Sequence, residues 1–125
     1  FIGKPQINLF DVTIDEDFII LGDSIKFSKP KAFNDLNKGK YIIGIRSEDT
    51  IKVDKPNEEY FQGTVEKIEY LGSETIYYLR HNDIKVTLKD YKVSNIKVGD
   101  IINISFNFNK ANIFNILTKQ NIRSN

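Results

Sequence analysis

The chain offers little for catalysis: one histidine, no cysteine and a few adjacent carboxylates. His81 is the only imidazole, so a metal site would have to borrow carboxylates, and a serine triad would rest on this one ring. It stands beside Asn82 at an expected hairpin tip and is read as a solvated turn histidine. The pairs Asp15-Glu16, Glu48-Asp49 and Glu58-Glu59 fall in turns or loops, whereas acid–base work needs one carboxyl of a pair buried with a raised pKa. The stretch Asn34-Asp35-Leu36-Asn37-Lys38-Gly39-Lys40-Tyr41 approaches a phosphate-binding loop and fails it twice. Asn34 replaces the first glycine, and Tyr41 stands where a magnesium-binding hydroxyl belongs. Nucleophile, base and metal-ligand sets all fail to assemble, so no enzyme is expected in these residues.

Two features point to binding instead. Tyr77 and Tyr78 are adjacent and so face opposite sides of a strand, one in the core and one outside. Exposed aromatics of this kind stack single-stranded bases in oligonucleotide-binding folds. Here 18 basic side chains are matched by 17 acidic ones, so the electrostatic footprint of nucleic-acid binding is missing and no nucleic-acid partner is expected. Arg46 closes the apolar run from Tyr41, and two readings stay open. Its guanidinium pins the adjoining loop through backbone carbonyls or the carboxylates of Glu48 or Asp49, or it lies at a subunit or partner surface, where arginine is enriched.

These residues must be positioned by strands. Short runs rich in Ile, Val, Phe and Tyr, separated by Gly, Asn, Asp and Pro clusters, predict an all-β domain with strands near 8–13, 17–21, 24–28, 40–46, 61–71, 74–81, 84–89, 100–107 and 111–117. No useful stretch carries a helical apolar stripe, and residues 31–38 give at most a short helical turn with Ala32, Phe33 and Leu36 on one side. Asn82-Asp83 predicts a tight type I′ hairpin, and Asn109-Lys110-Ala111-Asn112 a second hairpin turn. Ile84, Val86 and Leu88 alternate with Lys85, Thr87 and Lys89, one set for the core and one for water. Gly63 inside a strand-like run implies a bulge, a bend or a close backbone approach, and Gly99-Asp100 punctuates the entry to a later strand. Residues 50–60 read as a polar connector within the domain, and the stretch from Gln120 as a polar ending.

A length of 125 residues suits one domain with one core. Cysteine is absent, which excludes disulfides and thiolate metal sites and fits a reducing compartment. No apolar run approaches the roughly 20 residues of a bilayer-spanning helix, and no signal segment stands at the start. Methionine is absent even at position 1, so a piece of a longer product is expected.

Four stretches, in order, resemble a known family. Phe1-Ile2-Gly3-Lys4-Pro5-Gln6-Ile7-Asn8-Leu9 is similar to the segment that joins the two domains of the ATP-binding subunit in carbohydrate ABC importers. Gly44-Ile45-Arg46-Ser47-Glu48-Asp49 resembles that family's Gly-Ile-Arg-Pro-Glu-Asp, with Ser47 in place of proline. The run from Gly63 through Leu71-Gly72-Ser73-Glu74-Thr75 resembles its Gly-x-Val and Leu-Gly-Ser-Glu-Thr elements. Val98-Gly99-Asp100 with Ile101 to Phe106 and then Ile113-Phe114-Asn115 looks like its closing hairpin, Asn115 standing where aspartate is common.

The resemblance implies a regulatory transport-associated domain (TOBE, related to oligonucleotide-binding barrels) over residues 1–125, a small barrel or sandwich of about eight to nine strands. It implies a place C-terminal to a nucleotide-binding domain that holds the ATP and magnesium, with no cofactor, metal or catalytic group in the fragment itself. Gly44, Arg46, Glu48, Asp49, Gly63, Gly72, Gly99 and Asp100 are its motif positions and are expected to be structural. The implied role is regulation and dimerisation of the ATP-hydrolysing subunit of a sugar importer, maltose-importer type, cytoplasmic and peripheral on the inner membrane face. The implied partners are a second copy, membrane-spanning permease subunits and a regulatory protein. The alternative is an oxyanion-binding module for molybdate or sulfate, with a backbone nest around Gly72-Ser73.

Overall fold

Alternation of buried and exposed side chains starts with the first strand, β1 (Ile7–Ile14), in which Asn8, Phe10, Val12 and Ile14 turn inward and Ile7, Leu9, Asp11 and Thr13 outward. A computed structural model describes residues 7–23, 25–54, 59–92, 94–116 and 121–123. The family-like stretch at residues 1–6 and the polar positions 55–58, Glu58 among them, lie outside the described residues.

The remaining strands are β2 (Phe18–Leu21), β3 (Ile25–Ser28), β4 (Gly39–Arg46), β5 (Thr50–Lys52), β6 (Phe61–Tyr70), β7 (Thr75–His81), β8 (Ile84–Asp90), β9 (Ile101–Phe106), β10 (Asn112–Asn115) and β11 (Asn121–Arg123). Short 3-10 turns at Lys31–Phe33, Ser47–Asp49 and Phe108–Lys110 are the only helical elements among the described residues. The fold is therefore all-β, as expected, with eleven strands among the described residues rather than eight or nine. The two additions are β5, within the expected polar connector, and β11, within the expected polar ending.

Strands order as β11-β10-β4-β1-β2-β3 in one sheet and β5-β9-β6-β7-β8 in the other. The end strands β5 and β8 of the five-stranded sheet come into contact, so it curls into a partly open barrel against the six-stranded sheet. Phenylalanines bind the two layers: Phe106 lies 5.2 Å from Phe10, 5.7 Å from Phe61 and 5.8 Å from both Phe27 and Phe108, ring centre to ring centre. Each such ring contributes about 1.5–3 kcal/mol on burial.

Two local expectations change, and a third is narrowed to one of its alternatives. β9 and β10 do not form a hairpin, because they belong to different sheets. The turn between them tucks Phe108 and Ala111 into the core, which carries the chain round the end of the sandwich. At Asn82-Asp83 only Asn82 takes a positive φ, 52°, so the connection lacks the paired positive φ of a type I′ turn. Gly63 is a close approach rather than a bulge: a Cβ there would lie 2.9 Å from Ile104 Cδ1 and 3.2 Å from Leu79 Cβ. The bulge falls further on, between Val65 and Lys67, and exposes both Glu66 and Lys67.

Candidate functional site

The strand end at Gly44 to Asp49 is a corner. β4 finishes at Arg46 in the six-stranded sheet, the turn Ser47–Asp49 follows, and β5 opens in the other sheet. Corners leave backbone groups without ladder partners, so buried side chains must supply them. Asn8, Ser47 and Thr50, the buried polar residues among the described ones, all meet here.

Asn8 serves as a one-residue strand. Its Nδ2 donates to the Thr87 carbonyl at 2.9 Å while its Oδ1 accepts from the Thr87 N–H at 2.7 Å, so the amide covers the edge of β8 where the sheet ends. Its second Nδ2 proton goes to Thr50 Oγ1 at 3.1 Å, and its Oδ1 also accepts from Thr87 Oγ1 at 3.0 Å. Thr50 Oγ1 passes a proton bond to the Arg46 carbonyl at 3.5 Å, and the Ser47 hydroxyl bonds Thr87 Oγ1. Every donor and acceptor of the amide is used, which fixes its orientation and ties β1, β4, β5 and β8 at one point. Thr87, assigned to water by its alternation with core residues, is half-buried in this knot instead. The signal for Asn8 was present in the sequence as a lone polar residue at the inward parity of β1.

The motif residues around the corner divide sharply. The expected Arg46 pin is not found: Arg46 is exposed, and its guanidinium has no ion pair or hydrogen bond among the described residues. Thr50 and Asn8 hold the corner in its place. Glu48 is exposed. Asp49 accepts the Asn107 N–H at its carbonyl, 3.0 Å, and faces Lys110 Nζ at 3.9 Å. Gly44 lies on the outer face under a cover of side chains, since a Cβ there would meet Leu9 Cδ2 at 3.3 Å, Ile7 Cγ2 at 3.5 Å and Phe114 Cε2 at 3.5 Å.

The other motif positions sit elsewhere. Gly99 (φ 95°) and Asp100 complete the ladder beside the β6 bulge: Gly99 N–H donates to the Val65 carbonyl at 2.8 Å, and the Asp100 carbonyl accepts from Val65 N–H at 2.8 Å. Gly72 (φ 74°) forms the exposed β6–β7 turn, closed by a 2.8 Å bond from Leu71 N–H to the Glu74 carbonyl.

The candidate acid–base groups are spread apart. His81 is half-buried at a strand end rather than solvated at a tip; its Nδ1 lies 2.7 Å from the Gln62 carbonyl, and its ring meets Phe61 edge-on at 5.6 Å. Backbone N–H bonds from Asp17 and Phe18 pull the Asp15 carboxyl below its ordinary range. The hydrogen bond and charge of Lys38 do the same for Glu16. Both shifts favour the ionised form, opposite to what a proton donor needs. Among the described residues no group of three or more His, Asp or Glu is placed to hold a metal. In residues 34–41 the Tyr41 hydroxyl bonds the Asn37 carbonyl at 2.7 Å, so it serves the fold. Tyr77 is core, while Tyr78 is half-buried, bonding Glu69 through its hydroxyl and carrying Lys67 over its ring at 5.1 Å. No helix among the described residues is long and apolar enough to cross a membrane.

Residues 43–114 match the TOBE domain family. Curated relatives include the multiple sugar-binding transport ATP-binding protein of Streptococcus mutans, 31% identical over 98% of this chain and 35% of its own length. The trehalose/maltose import ATP-binding protein of Thermococcus litoralis is 31% identical over 94% of this chain and 35% of its own. The sn-glycerol-3-phosphate import ATP-binding protein of Psychromonas ingrahamii is 27% identical over 98% and 34%. The chain thus spans about a third of the length of the relatives it matches.

Proposed function

The chain belongs to the TOBE domain family, and from that premise we propose that it is the regulatory and dimerisation domain of the ATP-hydrolysing subunit of a sugar ABC importer. The observation that carries this reading is the extent of the likeness: nearly the whole chain aligns with about a third of proteins described as ATP-binding components of sugar import. Nucleotide, magnesium and the hydrolytic groups belong to the remainder of such a subunit, which works at the inner face of the membrane with permease partners.

Physically the domain is a tether. Two ATP-binding halves must separate and close in each cycle, and a contact that persists through the cycle keeps their effective concentration high. A rigid sandwich with a tied corner suits that task, since it transmits position without changing shape.

The sequence upstream of residue 1 in the same gene should encode a phosphate-binding loop, a Walker-B strand and an ABC signature, and a gene without them would overturn the assignment. In the purified subunit, deleting residues 1–125 should lower ATP hydrolysis at nanomolar protein, with recovery when protein is raised on the order of 100-fold. A rate unchanged at every concentration would remove the tether.

A further inference from the structure

We propose that the seam between β5 and β8 is a strand-addition site, which takes an extended, acidic peptide segment of a partner protein along the open edge of β8 at Lys89. The inference stands apart from the tether reading, since it rests on the register of two strands and on the side chains between them.

The register leaves backbone groups open on both sides of the seam. β8 pairs with β7 in an unbroken register, and the Thr87 N–H and C=O point away from β7 to the Asn8 amide. Backbone direction repeats every second residue, so the N–H and C=O of Lys89 point the same way. On β5 the alternate residues serve β9: the Asp49 carbonyl accepts from Asn107 N–H at 3.0 Å, and Val53 N–H donates to the Asn103 carbonyl at 2.9 Å. The N–H and C=O of Lys52 therefore point away from β9, on the side of β8. Neither Lys52 nor Lys89 has a backbone hydrogen-bond partner on that side among the described residues.

Asn8 shows how such an edge is filled. Four antiparallel pairings separate β5 from β8, so the two strands run parallel. Asn8 joins them at Thr50 and Thr87, and two residues further on both strands stand Lys52 and Lys89. At Thr87 the Asn8 amide gives one proton to the edge and takes one from it, and a peptide group can do the same at Lys89. Beside this knot lies a cleft of about 520 Å³, lined by both strands and by the residues that follow them.

Side chains set the chemistry of the occupant. Lys52, Lys89 and Lys92 line the cleft against Asp54 and Asp90. Asp90 Oδ1 accepts the Lys92 N–H of its own turn at 3.0 Å, and Lys89 Nζ lies 3.8 Å from Glu74. Lys52 and Lys92 are exposed and have no ion-pair partner among the described residues. Acidic side chains on the added strand complement these two ammonium groups, while Asp54 keeps the cleft from favouring a polyanion. Main-chain pairing gives such a contact its affinity, and the flanking charges give it selectivity.

The probe is a blocked hexapeptide of alternating valine and glutamate, added to the intact subunit. Fluorescence anisotropy of the labelled peptide should show saturable binding below about 1 mM, the weak end of specific recognition. Amide hydrogen exchange should slow in β8 and stay unchanged in the edge strand β3. N-methylation of the central peptide groups should weaken binding on the order of tenfold, and so should Lys89→Pro, because proline is tolerated at a strand edge but donates nothing. Lys52→Glu combined with Lys92→Glu should cost the glutamate peptide on the order of tenfold and favour its lysine counterpart. Unchanged thermal melting shows that the variants fold; if Lys89→Pro melts early, the N-methylated peptide on the parent subunit decides. No binding up to that concentration, equal binding of the N-methylated peptide, or protection of β3 in place of β8 overturns the proposal. Displacement of the peptide by inorganic phosphate makes the cleft an anion site and also overturns it.

Discussion

Asn8 and Leu9 are neighbours on β1 and have opposite environments. Asn8 is buried, with every polar atom of its amide bonded across two sheets, whereas Leu9 is 65% exposed over the bare backbone of Gly44. β4 repeats the division: Ile43 and Ile45 go inward while Ile42, Gly44 and Arg46 go outward. Strand parity thus separates a corner that holds the fold from an exposed outer face, using the same short segments for both. Buried polar groups are costly when unpaired and surface apolar groups are nearly neutral, so the two faces should answer mutation very differently.

The largest effect should come from Asn8→Ala. It strands the N–H and C=O of Thr87 and removes the bond to Thr50, with an expected loss of about 3 kcal/mol or more in urea denaturation. Leu9→Ser on the opposite parity should stay within about 0.5 kcal/mol. Similar losses at the two sites would break the division between corner and face.

Gly63→Ala tests the packed interior that the corner closes. The added methyl meets Leu79 Cβ at 3.2 Å and the more yielding Ile104 Cδ1 at 2.9 Å, so a loss of about 1–3 kcal/mol is expected. A stabilised variant would show that Gly63 is retained for some reason other than space.

Ser47→Pro should do less. Arg46 already holds the extended conformation that a following proline demands, φ −66° and ψ 151°, and proline is suited to the first position of a helical turn. The lost hydroxyl bond leaves Thr87 Oγ1 still bonded to Asn8, so the loss should be smaller than that of Asn8→Ala, about 1–2 kcal/mol. A loss as large as that of Asn8→Ala would mean that the Ser47 hydroxyl, and not the amide, organises the corner.

What the sequence revealed and hid follows from the range of the forces involved. The alternation of β1 and the punctuated Ile- and Tyr-rich runs are local, so most strands and the all-β class could be read directly. β5 has three residues and exists because Thr50, Ile51 and Lys52 pair with Phe106, Ser105 and Ile104, more than fifty positions away in the chain. The turn after β9 has ordinary turn residues, and only the burial of Phe108 and Ala111 sends the next strand to the other sheet. Gly44 to Asp49 was recognised as a motif, but a motif read along the chain does not show parity. Its structural partners, Asn8 and Thr87, lie on distant strands, so chain order alone leaves the pinning and surface readings of Arg46 both open, and the corner is held by the amide of Asn8.

Asp15 sharpens the contrast by making similar bonds in water. Its Oδ1 accepts from Asp17 N–H at 2.9 Å and Phe18 N–H at 2.7 Å, so like the Asn8 amide it satisfies backbone donors, but locally and at the surface. These bonds lower its pKa from 3.8, so its contribution is present above that value and is lost as pH falls through the lower folded pKa. Asp15→Asn keeps an acceptor oxygen without the titration. It should therefore be slightly less stable than the parent near pH 7 and converge on it in acid, read as a flatter unfolding midpoint below about pH 4. If Asp15→Ala, which removes both bonds as Asn8→Ala removes its own, were as damaging at neutral pH as Asn8→Ala, the loss of hydrogen bonds alone would set the cost. The expected small effect places that cost in burial, which Asn8 has and Asp15 lacks.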